Sequence, residues 1–271
     1  MYNLHSHTYN TYRCHHAKGT DEEYVLSAIK NGYTEMGFSD HAPYIFPNGH
    51  KSNFRMDCDE AQGYANSVRE LQEKYKGIID IKLGFETEYY PELIEKELEF
   101  LKSFKYDYII LGQHFTDNEY EPYARYSGHE TDSVAILDKY ISQVLLAAKS
   151  GEFTYIAHPD VINFTGDKEI YLKKMRRMVT ELKKIGIPLE FNFLGFTTNR
   201  HYPNRDFWQI VSEVGNDTVI GLDAHRIEAY ADKENLKKAN EYLFSLDITP
   251  LKRVNLVNYK KEITTIGDDS E

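Results

Sequence analysis

The chain has 271 residues, 41% of them hydrophobic and 28% charged, a balance that excludes a disordered polymer and allows a sizeable core. Its formal net charge of -11 disfavours a binder of duplex nucleic acid, because a polyanion is repelled on average. The first residues lack the pattern of a signal peptide, no apolar run is long enough to span a bilayer, and Cys14 and Cys58 do not make a disulfide framework, so a cytoplasmic enzyme is expected.

Strand-like and helix-like stretches alternate along the chain. Met1–Thr8 reads as a short first strand. Asp21–Asn31 is a helix capped by Thr20 or Asp21 and stopped by Gly32, as cap chemistry requires. Tyr33–Ser39 is a strand, Asp57–Tyr75 a helix with a charged outer face, and Ile78–Glu86 a strand. Pro91 opens a helix that runs to about Phe104, the position where a missing N–H is harmless. Tyr106–Gln113 is an unalternating, buried-strand pattern. Thr131–Ser150 is a long amphipathic helix, Phe153–Ala157 a strand, Lys168–Ile185 a helix and Ile187–Asn192 a strand. Phe207–Val214 is helical, Thr218–Leu222 a strand, Lys233–Phe244 the last helix and Ile248–Asn258 a closing strand, with a frayed acidic tail after Ile263. About seven β/α units without a linker predict one α/β domain over residues 1–271, built on a parallel sheet that closes into a barrel.

The eleven histidines are not scattered. His5 and His7 end the first strand, His41 the second, Glu86 the third, His114 the fourth and His158 the fifth; Asp223 and His225 follow Thr218–Leu222. A parallel barrel gathers its C-terminal strand ends into one ring, where barrel active sites lie. Positions two apart on a strand share a face, so His5 converges with His7 and Asp223 with His225. A lone His-x-His is weak evidence for a metal, and His41, His114 or His158 alone reads equally well as a satisfied polar group. Coincidence at six successive strand ends does not. Imidazoles and carboxylates without thiolate suit Zn, Mn or Fe(II), and so many ligands imply two or three divalent metals. Closely spaced metals activate a bridging water and clamp a phosphoryl group, which points to phosphate ester hydrolysis.

These residues resemble the PHP (polymerase and histidinol phosphatase) superfamily, within it the histidinol-phosphatase branch. The resemblance runs through His5-Ser6-His7-Thr8, Cys14-His15-His16-Ala17, Ser39-Asp40-His41, Gly84-Phe85-Glu86, Gly112-Gln113-His114, His158-Pro159-Asp160 and Asp223-Ala224-His225. It implies a distorted (β/α)7 TIM-like barrel with a trinuclear centre. By the same resemblance, His5, His7, Glu86 and Asp223 hold a first metal. Glu86 bridges to a second held by His114 and His158, and His16, His41 and His225 hold a third. Two departures stand out: Asn3 occupies a position where the family often has Asp, and an expanded loop leaves His15 as the rival of His16. Cys14 reads as packing beside the site rather than ligating.

The implied reaction is hydrolysis of L-histidinol phosphate to L-histidinol and phosphate, a step of histidine biosynthesis, by a hydroxide bridging the metals. Alternatives are a phosphoesterase of a nucleotide or other small phosphate ester, and a catalytically inactive metal-binding module. Asp160 is the candidate proton donor, with a plain cap as its other reading. Arg200 is the candidate grip on the phosphate and Arg226 a weaker one. Glu88, two residues past Glu86, is a candidate acceptor for the substrate's amine or imidazole. Lys18, Arg55 and Arg125 read as surface residues of the top-face loops.

Overall fold

Short apolar runs separated by capped helices leave each strand with one face for the helices and one for the interior. The computed structural model describes residues 1–9 and 13–264. Strands β1 (Tyr2–Asn3), β2 (Glu35–Phe38), β3 (Asp80–Thr87) and β4 (Tyr108–Leu111) pair in that order, all parallel. Strands β5 (Leu189–Asn192) and β6 (Thr218–Gly221) form a second parallel pair. Ile156 joins the two pieces, bridging Leu111 on one side and Leu189 on the other. There Ala157 N donates to Leu111 O at 2.8 Å and Glu190 N to Ile156 O at 2.9 Å.

The remaining gap closes at the chain's beginning. Ser6 bridges Ala224, His7 N donates to Ala224 O at 2.8 Å, and Ala224 N donates to His5 O at 3.1 Å. One rung of this seam is a side chain: Leu222 N donates to Asn3 Oδ1 at 2.9 Å. With the Ile156 segment counted, seven parallel segments make a closed, distorted barrel, as expected. The fifth segment, expected as the strand Phe153–Ala157, pairs on both sides through Ile156, with flanking backbone hydrogen bonds such as Thr154 N to Ile109 O at 2.8 Å.

The helices follow their caps. Helix α1 (Asp21–Lys30) starts on a Thr20–Glu23 capping box, which satisfies two otherwise orphaned donors. Helix α2 (Ala61–Lys74) begins four residues later than Asp57, because a turn forms first in which Asp57 N donates to Glu60 Oε2 at 2.7 Å. Helix α3 (Ile94–Lys102) likewise follows a turn at residues 91–93. Helices α4 (Val134–Ser150) and α5 (Lys168–Ile185) precede β5. A short helix that the sequence reading did not expect, α6 (Phe193–Thr197), comes next, capped by Asn192. Helix α7 (Arg205–Val214), a 3-10 turn at Ile227–Ala231 and α8 (Lys233–Phe244) complete the outer layer.

Alternation along the strands sorts the core. Leu83, Phe85, Ile109, Leu111, Leu189 and Phe191 pack against the helices. Leu4, Tyr108, Ile110, Tyr155, Ala157 and Val219 fill the inside. Each fully buried side chain of this kind contributes about 1.5–3 kcal/mol. Tyr108 spans the interior and its hydroxyl donates to Phe38 O at 3.0 Å. This layer forms the floor beneath the strands' C-terminal ends.

The expected closing strand Ile248–Asn258 is not one. Only Leu256–Val257 (β7) is extended, and it pairs antiparallel with Ile263–Thr264 (β8) outside the ring. The seam between β6 and β1 already completes the barrel and leaves no edge to fill. The tail expected to fray after Ile263 lies, from residue 265 on, outside the described residues.

Candidate metal centre

At the C-terminal rim every strand that ends in apolar residues turns polar at once. Glu86, on β3, sits at the middle and is buried to 1% exposure. Its Oε1 lies 2.8 Å from His158 Nε2, 3.5 Å from His114 Nε2 and 3.5 Å from His5 Nε2. Its Oε2 lies 2.9 Å from His41 Nδ1 and 3.4 Å from His7 Nε2. Asp223 Oδ1 approaches His5, His7 and His225 at 3.4, 3.3 and 3.3 Å. His5 Nε2 and His7 Nε2 are 3.1 Å apart. The structure thus draws together all the strand-end residues named from sequence.

Local backbone makes this convergence possible. A Cβ on Gly112 would stand 2.0 Å from Glu86 Oε1, so only glycine admits the carboxylate. His158 (φ 29°) and Asp223 (φ 48°) hold left-handed backbone, which costs a non-glycine residue about 1–3 kcal/mol and concentrates at functional sites.

The electrostatics suit a divalent cation. Burial keeps His7 below its ordinary pKa, His41 well below it, and His225 down at about 4, so these imidazoles are neutral ligands in waiting. Burial opposes charge on Glu86 and Asp223, but the surrounding histidines outweigh it and hold both well below the usual carboxylate range. His41 Nε2 and His225 Nε2 are buried without a hydrogen-bond partner, a loss that a bound ion would make good. Among the described residues, four tight groups of potential donors occur here: His5, Glu86 and His158; His5, His7 and Asp223; His41, Glu86 and His114; and His7, Cys14, His41 and His225. The donor set fits Zn, Mn or Fe(II), and zinc-like chemistry best where imidazole dominates.

Two buried carboxylates orient ring nitrogens from behind. Glu190 Oε2 is 2.7 Å from His5 Nδ1, and Glu88 Oε1 is 2.8 Å from His114 Nδ1. Each contact fixes a tautomer and points Nε2 into the cluster, an outer partner typical of metal-bound histidine. Glu190 Oε1 also accepts from Asn192 Nδ2 at 2.9 Å, and Asn192 donates to Asp223 Oδ2 at 3.0 Å. Sequence reading passed over Glu190, although a charged residue inside the apolar strand Leu189–Asn192 was its signal.

Four expectations need revision. Glu88 is not free for substrate: it faces His114 on one oxygen, and its other oxygen meets Arg55 Nη1 at 3.0 Å. Arg55 is not a surface residue but is 2% exposed, gripping Glu119 at 2.7 Å and the carbonyl of Ala42 at 2.8 Å. Asp160 turns away from the cavity and accepts from Asn204 N at 2.6 Å and Trp208 Nε1 at 3.1 Å; burial raises its pKa to about 6. Arg226 is exposed, before the 3-10 turn, and does not line the cavity. Asn3 is explained by its donors: its amide gives hydrogen bonds to Ser6 Oγ and Tyr230 Oη at 2.9 Å each, which an ionised Asp would not supply.

Above the cluster lies a cavity of about 400 Å³ walled by Phe54, Phe115, Tyr126, His129 and Tyr202. Arg200 reaches into it and donates to Tyr202 Oη at 2.6 Å. His16 also lines it, with its ring stacked on His225 at 4.5 Å. His15 points elsewhere, its Nδ1 2.7 Å from Asn53 O.

The PHP domain model matches residues 3–193. The chain belongs to the PHP domain family. It is 29% identical over 220 residues to a Deinococcus radiodurans protein named "Probable histidinol-phosphatase", covering 79% of this chain and 83% of that one. A 122-residue match to the histidinol-phosphatase of Bacillus subtilis is 27% identical and covers 42% of this chain and 45% of that protein. Among solved structures, the histidinol phosphate phosphatase of Lactococcus lactis subsp. lactis, complexed with zinc, L-histidinol and phosphate, superposes with a TM-score of 0.71. It is 19% identical and the match covers 97% of this chain and 98% of that one, which fixes the shared PHP barrel. The model match stops at residue 193, yet Asp223 and His225 complete the cluster. No helix among the described residues is long and apolar enough to cross a membrane.

Proposed function

We propose that this chain hydrolyses the phosphate monoester L-histidinol phosphate to L-histidinol and phosphate, in the histidine-biosynthetic pathway and in the cytoplasm. The observation that carries the reading is Glu86, whose two oxygens lie 2.8–3.5 Å from five histidines at four different strand ends. The names of the relatives and the L-histidinol and phosphate in the Lactococcus structure support the choice of ester.

In this proposal His5, His7, Glu86 and Asp223 hold one divalent cation. Glu86 shares a second with His114 and His158, and His41 and His225, with His16, hold a third. Such ions, when bound, activate a water for attack on phosphorus and neutralise the phosphoryl oxygens. The chain's own residues do the rest. Glu190 and Glu88 keep His5 and His114 aimed, and Arg200 grips the phosphate with its planar fork. The aromatic walls exclude water from the organic half of the substrate and strengthen the charge interactions beneath it. Residues 1–271 act as one unit, since the ring that carries the site is completed by segments at both ends of the chain.

A panel of phosphate esters tests the assignment. The purified protein should hold two or three divalent ions and show a kcat/KM for L-histidinol phosphate well above those for nucleoside monophosphates and an aryl phosphate. A flat profile would reject the biosynthetic substrate and retain a general phosphoesterase. Glu86→Ala should lose both ions and turnover; a fully active, ion-free Glu86→Ala protein would remove the whole reading.

A further inference from the structure

We propose that Cys14 is a sulfur ligand of the cation held by His41 and His225, so that one of the metal positions is a mixed thiolate–imidazole site. The inference rests on the metal reading above and adds a donor that no part of the family resemblance assigns.

The geometry points to it from three directions. Cys14 Sγ and a donor nitrogen from each of His7, His41 and His225 lie within 4.8 Å of one another. Sγ is also 3.6 Å from His16 Nδ1 and 3.8 Å from His16 Nε2. A tetrahedral zinc with bonds of about 2.3 Å to sulfur and 2.0 Å to nitrogen has S···N edges of about 3.5 Å. The sulfur therefore stands off His16 at the spacing of two ligands on one ion, with the donor nitrogens of His7, His41 and His225 within reach of the same ion.

The second direction is the nitrogen atoms. His41 Nε2 and His225 Nε2 are both buried without a hydrogen-bond partner among the described residues, and a thiol is too weak a donor to satisfy several nitrogens at once. The third is the backbone. Cys14 is 0% exposed, and its own backbone is anchored: Cys14 N donates to Thr8 O at 3.1 Å, and Ala17 N donates to Cys14 O at 3.1 Å. A free cysteine normally packs as a small hydrophobe. This one is fixed against a wall of imidazoles, whereas Cys58 is half-buried and belongs to no such group.

Ligation exchanges the S–H bond for a sulfur–cation bond. The thiol proton leaves to solvent through the adjoining cavity, and no electron is transferred. A thiolate makes this position softer than its neighbours. It should prefer zinc, cobalt or iron(II) over manganese more strongly than the positions around Glu86 do.

Cobalt(II) substitution supplies a readout that activity does not. Protein stripped by chelator and reloaded with Co(II) should show a near-ultraviolet sulfur-to-cobalt charge-transfer band beside the visible ligand-field bands. The band should persist in Cys58→Ser and vanish in Cys14→Ser, with the visible bands kept from the remaining sites. Zinc K-edge X-ray absorption of the parent protein needs no variant and should show a sulfur neighbour at about 2.3 Å. Visible bands without the charge-transfer band, or a zinc shell of nitrogen and oxygen only, would overturn the role of Cys14 and leave the metal centre standing. A band that survives Cys14→Ser would also overturn it. Failure to bind cobalt or zinc at all would remove the metal reading itself.

Discussion

His114 and His5 face each other across the cluster, each aimed by a buried glutamate, but the two supports differ in how the charge is balanced. Glu88 meets a built-in cation: Arg55 at 3.0 Å, itself clamped by Glu119 at 2.7 Å. Among the described residues, Glu190 has neutral backbone and amide donors besides His5: Asn192 Nδ2 at 2.9 Å and His158 N at 3.4 Å. Burial opposes charge on His5, yet Glu190, Asp223 and Glu86 outweigh it and raise its pKa well above the ordinary value. One side of the site carries its counter-charge in the fold. The other leaves that charge to the histidine and to bound cations.

The largest test of this contrast is Arg55→Met. It strands two buried carboxylates and should cost about 3–5 kcal/mol of unfolding free energy in urea titrations. A loss no larger than that of a surface arginine would erase the distinction between the two sides.

Next come the glutamates. Glu190→Gln should weaken ion binding about 10–100-fold, read by competition with a chelator, with a stability loss in the ion-free protein smaller than that of the Glu88 variant, because His5 keeps Glu86 and Asp223 as counter-charges. Glu88→Gln should show the same weakening together with a stability loss of about 1–3 kcal/mol, because Arg55 then keeps Glu119 as its single carboxylate partner. Equal stability of the two variants would show that Arg55 does not divide them.

The smallest effect concerns Glu97 on α3, beside the Arg55 cluster. Burial pushes its carboxyl well above the usual carboxylate range, with Arg55 pulling the other way. The folded state therefore holds a proton that the unfolded chain releases near 4.5, and stability falls as pH rises from there toward the folded-state value. Glu97→Gln removes this term. Its stability relative to the parent should be unchanged at pH 4 and should rise by about 1 kcal/mol on going to neutral pH. A difference that does not change with pH would assign Glu97 to the pairing network around Arg55 instead.

Much of the architecture and the rim was legible because ligand chemistry and strand ends coincide in sequence. His5, His41, Glu86, His114, His158 and Asp223 each follow an apolar run, and a parallel ring has only one place to put such residues. What spacing does not encode is how a side chain's two oxygens are used. Glu88 and Asp160 sit near ligands in sequence as substrate groups would, yet His114 and Arg55 take one oxygen each of Glu88, and Asn204 and Trp208 share a single oxygen of Asp160. Arg55 was illegible for a different reason. It lies in a long, aperiodic connection, where nothing local distinguishes a buried guanidinium from an exposed one. That the ring closes was legible, but not where: a polar Asn3 side chain supplies a rung that strand patterns assign to backbone, and Ile248–Asn258 takes no part.

That rung has a consequence for how ions leave. Where the last strand meets the first, the hydrogen bonds among the described residues that hold the wall shut are a few around Ser6 and Ala224, plus one accepted by the Asn3 side-chain oxygen. Parting there carries His5 and His7 away from Asp223 and His225 together. Cation escape and local unzipping are then a single event, and metal retention in this molecule becomes a gauge of its breathing.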